Sequence, residues 1–222
     1  MTREEFVKTI DHSLLKPNLT TADIIAGCQL AKDYGFRLAM VQPHYVELAA
    51  RELAGTDVLV GTVISFPHGN DLTPVKVHST RALHEQGAVE LDMVLNLAAL
   101  ESGEYDAVEQ DIAAVVDAAG DGIVKVILET SYLTKEEIVR ACEICKKAGA
   151  HFVKTSTGFT EKGATPEDIA LMRATVGPHM GVKGSGGIRT LDQALAILAA
   201  GANRIGISAS ESIMREWNAR YA

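Results

Sequence analysis

Three joins in this chain read alike: Gln86-Gly-Ala-Val-Glu-Leu91, Ala148-Gly-Ala-His-Phe-Val153 and Ala200-Gly-Ala-Asn-Arg-Ile205. In each, a glycine stands where a helix should end in the left-handed conformation, and a strand-forming run follows directly. Gly35 occupies the same place ahead of another such run. A helix-to-strand join that recurs in this way predicts a cyclic βα architecture. Short Val/Ile/Leu-rich runs over 9–14, 38–42, 58–65, 88–95, 123–129, 151–155, 180–184 and 203–207 predict eight strands, with longer amphipathic runs between them. The fold expected is a single (β/α)8 TIM barrel over 1–222, with parallel strands and a short N-terminal helix. An open doubly wound sheet is the alternative. It should carry a Gly-x-Gly-x-x-Gly turn after its first strand, which the first two predicted strands lack.

Local punctuation agrees with the barrel. Thr73-Pro74 and Thr165-Pro166 each predict an N-cap followed by proline at the first helical position, and Thr134 to Glu137 and Thr190 to Gln193 fit capping boxes. No Gly/Ser/Pro-rich linker divides the chain. With 47% apolar but only 5% aromatic residues, the core must be built from Val, Ile, Leu and Ala.

A formal net charge of −8 argues against nucleic acid or an anionic membrane as the main partner, leaving small molecules. Cys142 and Cys145 form a Cys-x-x-Cys pair inside an amphipathic run, so they and Cys28 predict packing rather than redox chemistry. The seven histidines are scattered singly, without zinc-binding spacing. The charged N-terminus and the lack of any 18-residue apolar run predict a cytoplasmic protein without a membrane span.

In a barrel of this kind the active site lies at the C-terminal ends of the strands. Lys154 ends the sixth predicted strand, before the hydroxyl-rich turn Thr155-Ser-Thr157. A lysine entering a cleft from a buried strand loses hydration, which favours the neutral amine and its attack on a carbonyl. A lone strand-end lysine would instead keep its ammonium in solvent. Lys154 has company: Glu90 and Asp92 on strand four, Lys125 and Glu129 on one side of strand five, and Lys183 on strand seven. Taken singly, Lys125 or Glu90 reads as a core ion pair. Charges on four successive strands point to chemistry. Lys183, on the strand next to Lys154, is expected to lower its pKa through charge, with Asp92 as a nearby proton relay.

Two late loops predict phosphate binding. Gly184-Ser-Gly-Gly187 leads into a helix near Leu191, and Gly206-Ile-Ser-Ala-Ser210 into the last helix, where free amides and the helix dipole favour an anion. Ser208 also begins Ser-Ala-Ser-Glu211, a capping box, and as such would only cap.

Six ordered motifs carry a resemblance that runs essentially end to end: Ile10-Asp-His-Ser-Leu-Leu15, Gly61-Thr-Val-Ile-Ser-Phe-Pro67, Glu90-Leu-Asp-Met-Val-Leu-Asn96, Val124-Lys-Val-Ile-Leu-Glu-Thr130, Val153-Lys-Thr-Ser-Thr-Gly-Phe159 and Val182-Lys-Gly-Ser-Gly-Gly-Ile188. With these the chain resembles the deoxyribose-phosphate aldolase family of class I, Schiff-base aldolases. The resemblance implies reversible cleavage of 2-deoxy-D-ribose 5-phosphate to acetaldehyde and D-glyceraldehyde 3-phosphate, in deoxyribose phosphate catabolism. It implies Lys154 as the Schiff-base lysine, Lys183 as its perturber and Asp92 as the relay carboxylate. Asp11, Lys125 and Thr155 would contact substrate or its surrounding polar network, and Gly158, Gly186, Gly187 and Ser208 would hold the phosphate. No metal and no cofactor are implied, because a protonated imine serves as the electron sink. A homo-oligomer, dimer or tetramer, is expected. Four positions depart from the family pattern: Met40 replaces a common cysteine, Phe159 a lysine of some members and Ala209 a frequent serine, and Tyr221 is penultimate rather than last. The rival readings are a barrel lyase or isomerase acting on another sugar phosphate, and a non-catalytic sugar-phosphate sensor.

Overall fold

The structure is a computed structural model that describes residues 1–221. The elements run α1 (Arg3–Val7), β1 (Ile10–Leu14), α2 (Thr21–Tyr34), β2 (Leu38–Val41), α3 (Val46–Glu52), β3 (Leu59–Ile64), α4 (Thr73–Glu85) and β4 (Glu90–Val94). They continue with α5 (Leu97–Glu101), α6 (Tyr105–Ala118), β5 (Ile123–Ile127), α7 (Lys135–Lys147), β6 (Phe152–Lys154) and α8 (Pro166–Val176). The chain finishes with β7 (Gly181–Ser185), α9 (Leu191–Ala199), β8 (Arg204–Ile207) and α10 (Ser210–Tyr221). The eight strands pair in sequence order, all parallel, and close between β8 and β1. The expected (β/α)8 barrel is therefore the fold.

Strand alternation divides the side chains into two sets. Outward residues such as Leu91, Met93, Val124, Val126, Val153, Val182 and Ile205 join the helix-facing core. Inward residues fill the barrel, and here the strands differ. β2 and β3 contribute Leu38, Met40 and Val63, with Leu15, Leu59 and Phe66 packed against them. The remaining strands put charge inside.

The helix ends follow their local signals almost throughout. Gly35, Gly87, Gly149 and Gly201 have φ of 72, 109, 81 and 114°, as helix-terminating glycines should. Capping boxes form at Thr134 with Glu137 and at Thr190 with Gln193, and Thr165 caps α8. Thr73 is the exception: α4 begins at Thr73 with Leu72 at its N-cap, and the Thr73 hydroxyl donates to Asp111 Oδ1 of α6 at 2.7 Å. A buried carboxylate on a neighbouring helix outcompetes the local cap. Near the chain ends, Phe6 of α1 stacks on Trp217 of α10 at 4.4 Å, and Tyr221 packs on the same indole.

Candidate active site

Seven charged side chains meet inside the barrel, all nearly or completely buried. Lys154, the last residue of β6, donates to Asp92 Oδ2 at 2.8 Å, and Lys183 of β7 donates to the same oxygen at 2.7 Å. The two lysines are direct register partners, so closure of β6 on β7 sets both amines over one acceptor. Lys125 of β5 takes the other oxygen, Asp92 Oδ1, at 2.8 Å, and lies 2.6 Å from Glu90 Oε2. Asp11 of β1 pairs with Lys183 at 2.5 Å and with Arg204. Gly206 makes room for this crowding, since a Cβ there would come within 3.1 Å of Lys183 Cε.

The count of charges decides what the cluster can do. Three carboxylates, Asp11, Glu90 and Asp92, face four cations, Lys125, Lys154, Lys183 and Arg204, which leaves one positive charge in excess. Lys154 is the cation least provided for. Among the described residues its only ion-pair partner is an oxygen that Lys183 also uses, whereas Lys125 lies within 4 Å of three carboxylates. Burial, followed by the Lys183 and Lys125 charges, outweighs the pull of Asp92 and lowers the Lys154 pKa from 10.5 to about 8. Loss of hydration is the larger cause, and the Lys183 charge acts in the same direction. For Lys125 the balance reverses: the carboxylates of Asp92, Glu90 and Asp11 overcome burial and hold its ammonium above the ordinary lysine value. Burial alone would raise Asp92, yet Lys125, Lys154 and Lys183 hold it well below the usual carboxylate range.

At neutral pH a lysine with pKa about 8 is roughly a tenth neutral, against a few parts in ten thousand at 10.5, a gain of about 300-fold in reactive amine. Lys154 is the network member at a strand's C-terminal end, where the barrel opens. The arrangement can therefore add an amine to a carbonyl, beside an ionised carboxylate able to orient water for proton relay.

The loop after Lys154 is held from two sides. The Thr155 hydroxyl accepts from Ser185 N–H at 3.1 Å and donates to the Ser185 carbonyl at 3.2 Å, which fixes β6 against β7. Glu129 does not share a side with Lys125, because β5 ends at Ile127 and Glu129 adopts a left-handed φ of 53°. Its carboxylate turns to the β6 loop and accepts from Thr157 N–H at 3.2 Å and from both Thr157 and Thr160 hydroxyls. Phe159, farther along, stands edge-on to Phe66 of the β3 loop at 5.2 Å.

Gly158, Gly186 and Gly187 all have left-handed φ, at 84, 80 and 74°. Gly158 and Gly186 approach so closely that a Cβ on Gly186 would lie 3.4 Å from the Gly158 Cα. The backbone of the two loops is thereby brought together beside the mouth. The N-terminus of α9, however, does not offer the free amides the sequence suggests. Thr190 and Gln193 form its capping box, and the Leu191 N–H donates to the Glu216 carboxylate at 2.7 Å. The first turn of α10 remains. Its first intrahelical bond runs from Ile213 N–H to the Ala209 carbonyl, so Ala209 takes the N-cap place and Ser208 stands exposed before it. Ser208 is thus one residue too early for the capping box with Glu211.

The sequence gives no site role to Arg204, which reads as an ordinary part of the third Gly-Ala join, and it places Glu129 beside Lys125 rather than against the β6 loop. The signal for Arg204 was its charge at the inward position of an otherwise aliphatic strand.

Among known proteins, the model of the DeoC/LacD family aldolases matches residues 6–213. The chain is 53% identical over 214 residues to a deoxyribose-phosphate aldolase of Thermoanaerobacter sp. strain X514, covering 95% of this chain and 96% of that one. It is 55% identical over 208 residues to the Bacillus cytotoxicus deoxyribose-phosphate aldolase, covering 93% of each. The structure described as tetrameric deoxyribose phosphate aldolase from Aeropyrum pernix superposes with a TM-score of 0.92 at 33% identity, over 99% of this chain and 93% of that one. With a family match over nearly the whole barrel and relatives above 50% identity end to end, the chain belongs to the DeoC/LacD family of aldolases.

Proposed function

We propose that this chain is a deoxyribose-phosphate aldolase whose Lys154 forms the imine. The observation that carries the reading is the sharing of Asp92 Oδ2 by Lys154 and Lys183, which leaves Lys154 the reactive amine in a cluster with one positive charge too many. In cleavage, the Lys154 amine adds to the aldehyde carbon of open-chain 2-deoxy-D-ribose 5-phosphate, and water leaves to give a protonated imine. The 3-hydroxyl then gives up its proton, the C2–C3 bond breaks, and D-glyceraldehyde 3-phosphate departs. The bonding electrons move into the imine to form an enamine. Protonation at C2 and hydrolysis release acetaldehyde and return the amine.

Asp92, kept ionised by its three lysines, accepts hydrogen bonds from both amines and orients water that relays their protons. Lys183 weakens the hold of Lys154 on its proton. Asp11 and Lys125 fix this group from behind, and Thr155 locks the strand that carries it. Gly158, Gly186, Gly187 and Ser208 receive the phosphate through backbone amides and one hydroxyl, helped by the N-terminal dipole of α10. The substrates are small molecules, in keeping with the acidic surface charge. The tetrameric relative supports a homo-oligomer. Three buried free cysteines fit a reducing, cytoplasmic setting.

Borohydride reduction with acetaldehyde, followed by peptide mapping, tests the reading. A two-carbon adduct on Lys154 is expected; an adduct on Lys125 or Lys183 instead would overturn it.

A further inference from the structure

Two residues of the charged network have no part in the reaction just described. Glu90 and Arg204 are the first residues of β4 and β8, at the end of the barrel away from the mouth. β4 and β8 lie opposite one another in the ring. The Arg204 guanidinium therefore crosses the interior to reach both Glu90 oxygens, at 3.3 and 3.2 Å, while also bonding Asp11. Glu90 and Asp92 lie on one face of β4, two residues and about 6.5 Å apart along the strand. Lys125 bridges them, 2.6 Å from Glu90 and 2.8 Å from Asp92.

Such a pair is a poor way to stabilise a core, since buried ion pairs seldom outperform well-packed apolar side chains. This barrel can use the apolar solution, as Leu38, Met40 and Val63 demonstrate on β2 and β3. What Glu90 and Arg204 do control is how the network shares its carboxylates. We propose that Glu90 and Arg204 are positioning residues that set how firmly Asp92 holds the proton of Lys154. The proposal deepens, and rests on, the reading of Lys154 as the imine-forming residue.

The directions follow from the contacts. Without the Glu90 charge, Lys125 leans chiefly on Asp92, with Asp11 farther off at 3.8 Å, and the cluster carries one further uncompensated positive charge. Lys154 then gives up its proton more readily. Without the Arg204 charge, Asp11 is freer for Lys183 and Glu90 for Lys125, so Asp92 is freer for Lys154, which holds its proton more firmly. The groups facing Lys154 are Asp92 on β4, Lys183 on β7 and Lys125 on β5. Behind them stand Asp11, Glu90 and Arg204. Arg37, partly exposed at the rim, turns its buried Nε to Glu90 at 3.6 Å and adds a positive charge that is the same in every variant.

Competitive acetylation with acetic anhydride across pH, read at Lys154 by peptide mass spectrometry, follows this amine without requiring substrate. Glu90→Gln is expected to lower the labelling midpoint by about one pH unit and Arg204→Met to raise it by about the same amount. Glu90→Asp and Arg204→Lys, which keep the charges, should stay near the parent, and the double variant Glu90→Gln/Arg204→Met should return towards it. Structural damage would not move two midpoints in opposite senses. Midpoints that stay put, or that move the same way in both charge-removing variants, would overturn the proposal. Where one single variant fails to fold, the sign of the other decides. Opposite shifts without any acetaldehyde adduct on Lys154 would fault the aldolase reading alone. An adduct on Lys154 with unmoved midpoints would fault the positioning role alone.

Discussion

Lys76 and Lys154 are both buried against an aspartate, and only Lys154 is proposed to react. Lys76 of α4 is 1% exposed and lies 2.5 Å from Asp111 of α6. It also donates to the Val94 carbonyl at 3.3 Å, and Asp111 takes a further bond from Thr73. That group is closed: one cation, one anion and neutral partners for the rest. Lys154 is 2% exposed and 2.8 Å from Asp92, but Lys183 shares its acceptor oxygen and Lys125 holds the other. Burial is the same in both places. The number of cations competing for each carboxylate separates a structural lysine from the proposed nucleophile.

The largest contrast should come from matched substitutions. Lys154→Met removes the nucleophile and is expected to abolish acetaldehyde trapping and lower kcat by about four orders of magnitude or more, a loss typical of a missing covalent residue. Lys76→Met should leave kcat within a few-fold but destabilise the fold by about 3–5 kcal/mol, because Asp111 is left buried without its cation. Adding Asp111→Leu should restore most of that stability in a denaturant titration. If Lys76→Met lost activity while remaining folded, the division between the two lysines would fail.

A subtler test alters the competition without touching the nucleophile. Lys183→Met leaves Asp92 Oδ2 to Lys154 alone, so Lys154 should keep its proton to higher pH. The pH profile of borohydride trapping should move upward by about one to two units, with a sharp fall in rate near neutrality. An unmoved profile in a folded protein would leave Lys183 with a role other than charge.

The smallest expected effect concerns stability. Lys154 has a folded pKa of about 8, below its ordinary 10.5, so between these values the unfolded chain binds more protons than the native one. Stability contributed at this site therefore rises with pH from about 8 to 10.5, and below 8 the full penalty of a buried, poorly paired ammonium remains. A shift of that size corresponds to at most about 3.5 kcal/mol, and relaxation reduces it. Lys154→Met should accordingly be more stable than the parent by about 1–2 kcal/mol at pH 7, with the gain shrinking above pH 8. Equal stabilities throughout that range would mean that Lys154 is as well paired as Lys76.

The sequence by itself determined the order of strands and helices, because those signals act over a few residues. Glycines at helix ends, capping boxes within three residues and alternating aliphatic runs formed where their spacing placed them, except at Thr73 and at Ser208. The strand-end position of Lys154 was equally legible, and so was the presence of Asp92, Lys125 and Lys183 on neighbouring strands. Tertiary structure alone decided who bonds to whom. Lys154 and Lys183 reach Asp92 across 62 and 91 residues of chain, and Arg204 reaches Asp11 across 193. Those distances close only as the strands curl into the barrel and β8 meets β1, and with them comes the excess positive charge around Lys154. The same holds where local reading went astray. Thr73 was drawn away by Asp111, the α9 N-terminus was filled by Glu216, and Glu129 was turned to the β6 loop. In each case a buried or charged partner brought in by folding outweighed the neighbour in sequence, since hydrogen bonds are worth most where water is excluded.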